Sequence, residues 1–224
     1  IGALTTGQVI ALNTAQAAVL NAAQLGGLDE AVVGSLQTDD LQKLNATMVG
    51  GLTTAVVAAL TTTQMRALTS AQVGGLSTTQ AAALTTQQLK DLGTTQALGL
   101  KDTQLRAVSS SDLQKLNTSA VELLTTSALL GLSGAQVGAL NTAQVVALNT
   151  AQAAVLNTAQ AAGLTSAQLQ KMQTTDLLKL STLAVSKLDA GSLVGLSSVQ
   201  VGLLGTDQVS ALTSTQAAGL GGVQ

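Results

Sequence analysis

The chain has 224 residues, 46% of them apolar and 9% charged, a net charge of −2, and no Phe, Trp, Tyr, His, Cys or Pro. Those absences exclude the usual zinc, haem-histidine and iron–sulfur sites, His-dependent nucleophiles, disulfides and aromatic stacking platforms. Nine basic residues against eleven acidic ones offer no cationic face to a nucleic acid. Mean hydropathy is +0.42, yet Thr, Asn, Ser or Gln breaks the chain every few residues, so no run approaches the ~18 apolar residues of a spanning helix. The composition predicts no catalytic residue, no cofactor, no metal site, no small-molecule substrate, no nucleic-acid partner and no membrane insertion.

The N-terminal residues Ile1-Gly2-Ala3-Leu4-Thr5-Thr6 have neither the charged region nor the apolar stretch of a signal peptide. They lead directly into a repeat. From Leu4 to Leu220 a leucine falls at every eighth position: 26 of 28 are Leu, and the others are Val108 and Met172. The register holds through 28 octads without an insertion or deletion. With the leucine as position 0, the unit reads Leu-(Thr/Asn/Ser)-Thr-Ala-Gln-Val-x-(Ala/Gly/Lys).

Within each octad the columns follow one another as a helix start and stop. Position 1 is Ser, Thr, Asn, Asp or Gly in 25 of 28 octads, the exceptions being Gln37, Lys101 and Gln173; these are N-capping residue types. Position 4 is Gln in 18 octads and Asp in three, Asp40, Asp112 and Asp176. A capping residue followed three later by Gln is a capping box. Position 5 is apolar in all 27 complete octads, and pairs with position 0 as a hydrophobic staple, Leu4 with Val9 in the first. Positions 2 to 6 or 7 leave a helix of five or six residues, with glycines such as Gly27, Gly51, Gly75 and Gly195 easing the exit. Nine of eleven acids lie at positions 1 to 4 and eight of nine bases at positions 6 or 7, the sorting a helix dipole favours and a strand does not.

In chain order, the residues that could carry chemistry are few. Glu30, Asp39 and Asp40 raise acid–base or hard-cation chemistry, but their places near helix starts explain them as dipole-compensating charges. Asn45 and Asn117 stand in Asn-x-Ser/Thr matches that a Thr-rich chain produces by chance. Met48, Met65 and Met172 sit in or beside apolar columns as core fillers. A charged variant recurs over residues 38–44, 110–116 and 174–180, in which the position 4 Asp and a Lys three later form a surface pair.

The fold that follows is an all-α solenoid of 28 octads, one short capped helix in each. Two rivals remain open. A β-solenoid suits Thr and Val but not the poor period-two alternation. One unbroken helix would bury capping residues and turn each leucine about 80° from the last, collecting them on no face. An isolated helix of this length is unstable in water. Burying one leucine stabilises by roughly 1.5–3 kcal/mol while ordering eight residues costs roughly 12 kcal/mol, so octads must stack around a core of positions 0 and 5. Small residues at positions 3 and 7 (Ala15, Ala23, Gly51, Ala139), with Gly50 beside them, let backbones approach, and the mixed position 6 faces solvent or a neighbouring molecule. Neither end carries a distinct polar cap, so residues 1–224 read as one continuous array, a segment of a longer array or a filament subunit.

The stretches Ala139–Leu148 (ALNTAQVVAL) and Ala67–Val73 (ALTSAQV) resemble the ALTTAQVAAL arrays of very large secreted or surface proteins of Gram-negative bacteria, some labelled haem utilisation protein or adhesin. The resemblance implies an extracellular or cell-surface setting. It assigns no functional residue, and haem would find only the three methionines as axial ligands. The expected function is a non-enzymatic structural repeat protein forming an extracellular rod or a self-associating filament; the alternative is an adhesin-type stalk or binding module.

Overall fold

The computed structural model describes residues 3–220; Ile1-Gly2 and the last octad beyond Leu220 lie outside the described residues. Among the described residues the backbone forms 27 short α-helices and no strand, one helix in each octad. The all-α reading holds, and the β-solenoid and the unbroken helix do not. Some helices are shorter than the spacing predicts: Glu30–Val33 and Thr174–Leu177 have four residues, barely one turn.

Local chemistry sets each start and stop. Thr69 is extended (φ −73°, ψ 161°); its hydroxyl accepts from the Gln72 N–H at 3.2 Å, and Gln72 Oε1 accepts from the Thr69 N–H at 2.8 Å. This is the predicted capping box. At the far end the next leucine, Leu76 (φ −60°, ψ 138°), is extended, and its N–H donates back to the Val73 carbonyl at 3.1 Å. The exit therefore does not use a left-handed glycine, contrary to the expectation for position 7: no described residue has positive φ.

The octads gather into two compact units, one running through Val108 with Lys115–Leu124, the other formed by Ser109–Gln114 and Thr125 onward. In the first unit, Ala46–Gly50 packs on Ser70–Gly75 and Thr78–Ala82 packs on Asp102–Ala107. In the second, Gly134–Ala139 packs on Thr158–Gly163 and Ala190–Leu193 on Ser214–Leu220. Each helix thus meets the third helix along, so three octads close one coil in each unit.

Stacking buries the leucines from Leu28 to Leu196 and position 5 from Val9 to Leu193, the two columns expected to form the core. Position 6 is exposed wherever it carries a large side chain, as at Arg66, Lys90 and Leu130. Glycine at positions 6 and 7 permits close approach of successive coils: a Cβ on Gly50 (position 6) would stand 2.6 Å from the Gly75 carbonyl oxygen, and one on Gly75 (position 7) would collide with the Ala46 backbone. In the second unit Gly163 meets the Gly134 backbone and Gly195 that of Ser166 in the same way. Position 3 does not share this role, for Ala15 and Ala23 are exposed. Their smallness relieves no side-chain crowding.

Candidate functional site: the joint between coils

The position 4 glutamine makes the working contact of the array. A capping box uses only Oε1, but the amide also carries two N–H donors, and these reach the preceding coil. In the first unit Gln64 Nε2 donates to the Val33 carbonyl at 2.8 Å and the Leu36 carbonyl at 2.7 Å, while Oε1 accepts from the Thr61 N–H at 2.9 Å. Gln72 repeats this with Leu41 and Leu44, and Gln104 with Val73 and Leu76. In the second unit Gln160 reaches Leu129 and Leu132, Gln168 reaches Val137 and Leu140, and Gln200 reaches Leu169 and Met172. In these joints the acceptors lie 31 and 28 residues earlier; Gln96 departs slightly, reaching the Arg66 and Leu68 carbonyls, 30 and 28 residues earlier.

Those carbonyls stand at a helix C-terminus, where the position 5 carbonyl already accepts from the next leucine's N–H, and on the corner leucine itself, whose carbonyl lies past the helix end. One side chain therefore satisfies an orphan N–H at its own helix start and an orphan leucine carbonyl at another helix end, and adds a second bond to the position 5 carbonyl beside it. The joint is dry: Gln72, Gln144 and Gln160 are at most 2% exposed. Gln8, Gln16 and Gln24 precede any residue 28 positions back; they are exposed, and their Oε1 atoms still serve the caps. Position 4 is thus a third buried column, which sequence reasoning missed by assigning glutamine to capping alone. A signal was present. Glu completes a capping box as well as Gln does, yet position 4 holds no Glu in any octad. An amide supplies the donor that a glutamate at the same place would lack.

Other residues cover some joints that lack glutamine. Asn117, whose octad has Ala120 at position 4, caps with Oδ1 and donates through Nδ2 to the Lys90 and Leu92 carbonyls at 3.0 and 2.6 Å. Its amide is fully engaged in the joint. At Met48 the thioether takes the Oε1 place, 3.4 Å from the Asn45 N–H. Met65 and Met172 are buried core residues, as expected.

The acidic candidates form no cluster. Glu30 and Asp39 are exposed and Asp40 is buried, and among the described residues no group of three or more His, Cys, Asp or Glu could hold a metal ion. The surface Asp–Lys pair expected in the charged variant is replaced by a different arrangement: Asp40 and Asp176 turn inward, about 2% exposed, with Oδ2 unpartnered, while Lys43 and Lys179 remain exposed. Burial pushes both carboxyls above the usual range, and the Asp39 charge adds to this at Asp40. Asp112 differs: it is half-buried and its Oδ2 accepts from the Ser109 hydroxyl at 2.6 Å.

The first unit also has an open groove along its glycine row, lined by Thr47, Ser70, Gly74, Ser77, Lys101 and Thr103. Lys101 is its one charged side chain, so it holds no acid–base pair. No described helix is long and apolar enough to cross a membrane.

No curated protein matches the sequence. A family model described as the ALTTAQ repeat matches residues 33–70 and 64–94. The chain is a repeat-array protein whose octads over that stretch match the ALTTAQ repeat.

Proposed function

We propose that the array is a non-enzymatic structural element, the body of an extracellular rod or self-assembling filament. The observation that carries this reading is the recurrence of one joint, glutamine to carbonyls 28 and 31 residues back, in both units. A protein that spends its buried polar groups on identical joints is suited to length and stiffness rather than to a single reactive site. The side chains are almost wholly aliphatic, small or amide, and supply no nucleophile–base pair.

Self-association is the partner this reading requires. Position 6 supports it, since Leu98 is 51% exposed and Leu130 45% exposed, and exposed aliphatic side chains on a repeating surface favour lateral contact. Export to the cell surface belongs to the same proposal and rests on the resemblance alone.

The test is negative-stain microscopy and light scattering across a concentration series. Concentration-dependent fibres support the filament. A particle that stays monomeric and elongated at every concentration refutes it and favours the adhesin-type stalk.

A further inference from the structure

Asp40 and Asp176 occupy the place that glutamine fills in the joints around them. Each is about 2% exposed and each leaves Oδ2 without a hydrogen-bond partner. Both octads also carry Gln at position 1, where no side chain caps the helix. That glutamine instead donates to the preceding coil, Gln37 Nε2 to the Ile10 carbonyl at 2.8 Å and Gln173 Nε2 to the Val146 carbonyl at 3.0 Å. The amide has moved three residues toward the N-terminus and a carboxyl stands where it was.

By the offsets of every neighbouring joint, the groups opposite Asp40 are the Val9 and Leu12 carbonyls, and those opposite Asp176 are the Val145 and Leu148 carbonyls. An ionised carboxylate has acceptors only, and so do these carbonyls; a neutral carboxylic acid has one O–H to donate. We propose that Asp40 and Asp176 are proton-operated joints: protonated, Oδ2–H donates to the preceding coil as glutamine Nε2 does elsewhere, and ionised, the carboxylate opposes the carbonyl dipoles and loosens that joint.

The surroundings do not supply a competing charge. The helix Thr150–Ala154, packed against the helix of Asp176, carries no titratable residue. The helix Thr14–Ala18, packed on one side of Asp40, carries none, and the helix Thr62–Ala67 on the other carries only Arg66, whose Nε donates to the Asp91 carbonyl. On its own helix Asp40 has Asp39, which disfavours ionisation further, and exposed Lys43.

A carboxyl whose native pKa is raised binds a proton more tightly folded than unfolded. Its joint is strongest below the ordinary value of 3.8 and weakens as pH rises through the native value. This slope is opposite to ordinary acid denaturation.

The experiment compares thermal unfolding of the full chain with the double variant D40Q/D176Q from about pH 3 to about pH 7. At neutral pH the variant should melt higher by about 2–4 °C per joint, and the gap should close as the pH falls below the ordinary carboxyl range. Parallel pH profiles for the two proteins overturn the proposal. D40N/D176N, neutral and nearly isosteric, guards against a glutamine that does not fit: it too should remove the difference in slope. A neutral-pH melting point of the parent chain that rises with added calcium but not with acid would show a cation in place of the proton, and would overturn the proposal as well.

Discussion

Replacing Gln168 separates the two halves of the glutamine's work. Its Oε1 accepts from the Thr165 N–H at 2.8 Å, and its Nε2 donates to the Val137 and Leu140 carbonyls at 2.9 and 2.7 Å. The Val137 carbonyl keeps a second partner, the Leu140 N–H at 3.1 Å, and exposed Thr165 can recover water. The Leu140 carbonyl, on a residue 6% exposed, is stranded. At about 1–3 kcal/mol for a stranded buried group and about 1 kcal/mol for an exchanged bond, Gln168→Ala should cost about 2–4 kcal/mol. Gln16 is the control, because it makes only the cap contact to the Asn13 N–H at 2.9 Å and is exposed; Gln16→Ala should cost about 0.5–1 kcal/mol. Melting followed by far-UV circular dichroism should show a drop of roughly 4–16 °C for the first and a few degrees at most for the second. Gln168→Glu should lose more than Gln168→Ala at neutral pH, since a carboxylate would face two carbonyl oxygens. Equal costs for Gln16 and Gln168 would refute the joint and leave capping as the glutamine's whole role.

The remaining columns give sharper contrasts. Leu148 is 2% exposed, so Leu148→Ala should cost about 2–5 kcal/mol and Leu148→Asp should disrupt stacking; unchanged melting would mean that the leucine column is not the core. Gly163 and Gly202 should respond in opposite directions. A Cβ at Gly163 meets the Gly134 backbone, whereas one at Gly202 meets nothing within 4 Å, so Gly163→Ala should destabilise by about 1–3 kcal/mol and Gly202→Ala should be neutral or stabilise by up to about 1 kcal/mol.

The parts of the fold that lie within one octad were legible in the sequence. Helix start, staple and charge sorting are interactions over three to five residues, and each left its own column. The joint was hidden for a specific reason: the cap already accounted for glutamine, and the other end of the same amide acts 28 residues away. The coil size was hidden too, although the glycine pairs Gly26-Gly27, Gly50-Gly51 and Gly74-Gly75 recur every third octad, the period at which coils touch. The acidic residues were misread because column membership does not fix burial. Asp112 and Asp176 share position 4, yet only Asp176 is buried. What distinguishes them is position 1, Ser109 against Gln173: serine leaves its hydroxyl to engage Asp112, whereas Gln173 reaches the preceding coil and leaves the Asp176 carboxyl facing inward.

Octads without glutamine at position 4 are not scattered. They run together as Val32, Asp40, Met48 and Val56, then Asp112, Ala120 and Ala128, then Asp176, Ala184 and Ser192. Three consecutive octads make one coil, so the last run removes the glutamine from a whole coil of the second unit. The recurring charged variant opens that coil and substitutes a single donor, Gln173, for three amides. At two bonds per joint and about 0.5–1.5 kcal/mol per bond, the net loss of five bonds should leave this coil held about 2.5–7.5 kcal/mol less firmly than a glutamine-joined one. A tenfold change in an opening equilibrium corresponds to about 1.4 kcal/mol, so amides of Thr174–Leu177, Thr182–Val185 and Ala190–Leu193 should exchange with solvent at least tenfold faster than those of Thr158–Gly163 and Ser166–Lys171, whose glutamines are in place. Hydrogen exchange by mass spectrometry resolves segments of that length. Uniform protection across the second unit would mean that aliphatic packing alone holds the coils, and that the glutamine column contributes nothing beyond its caps.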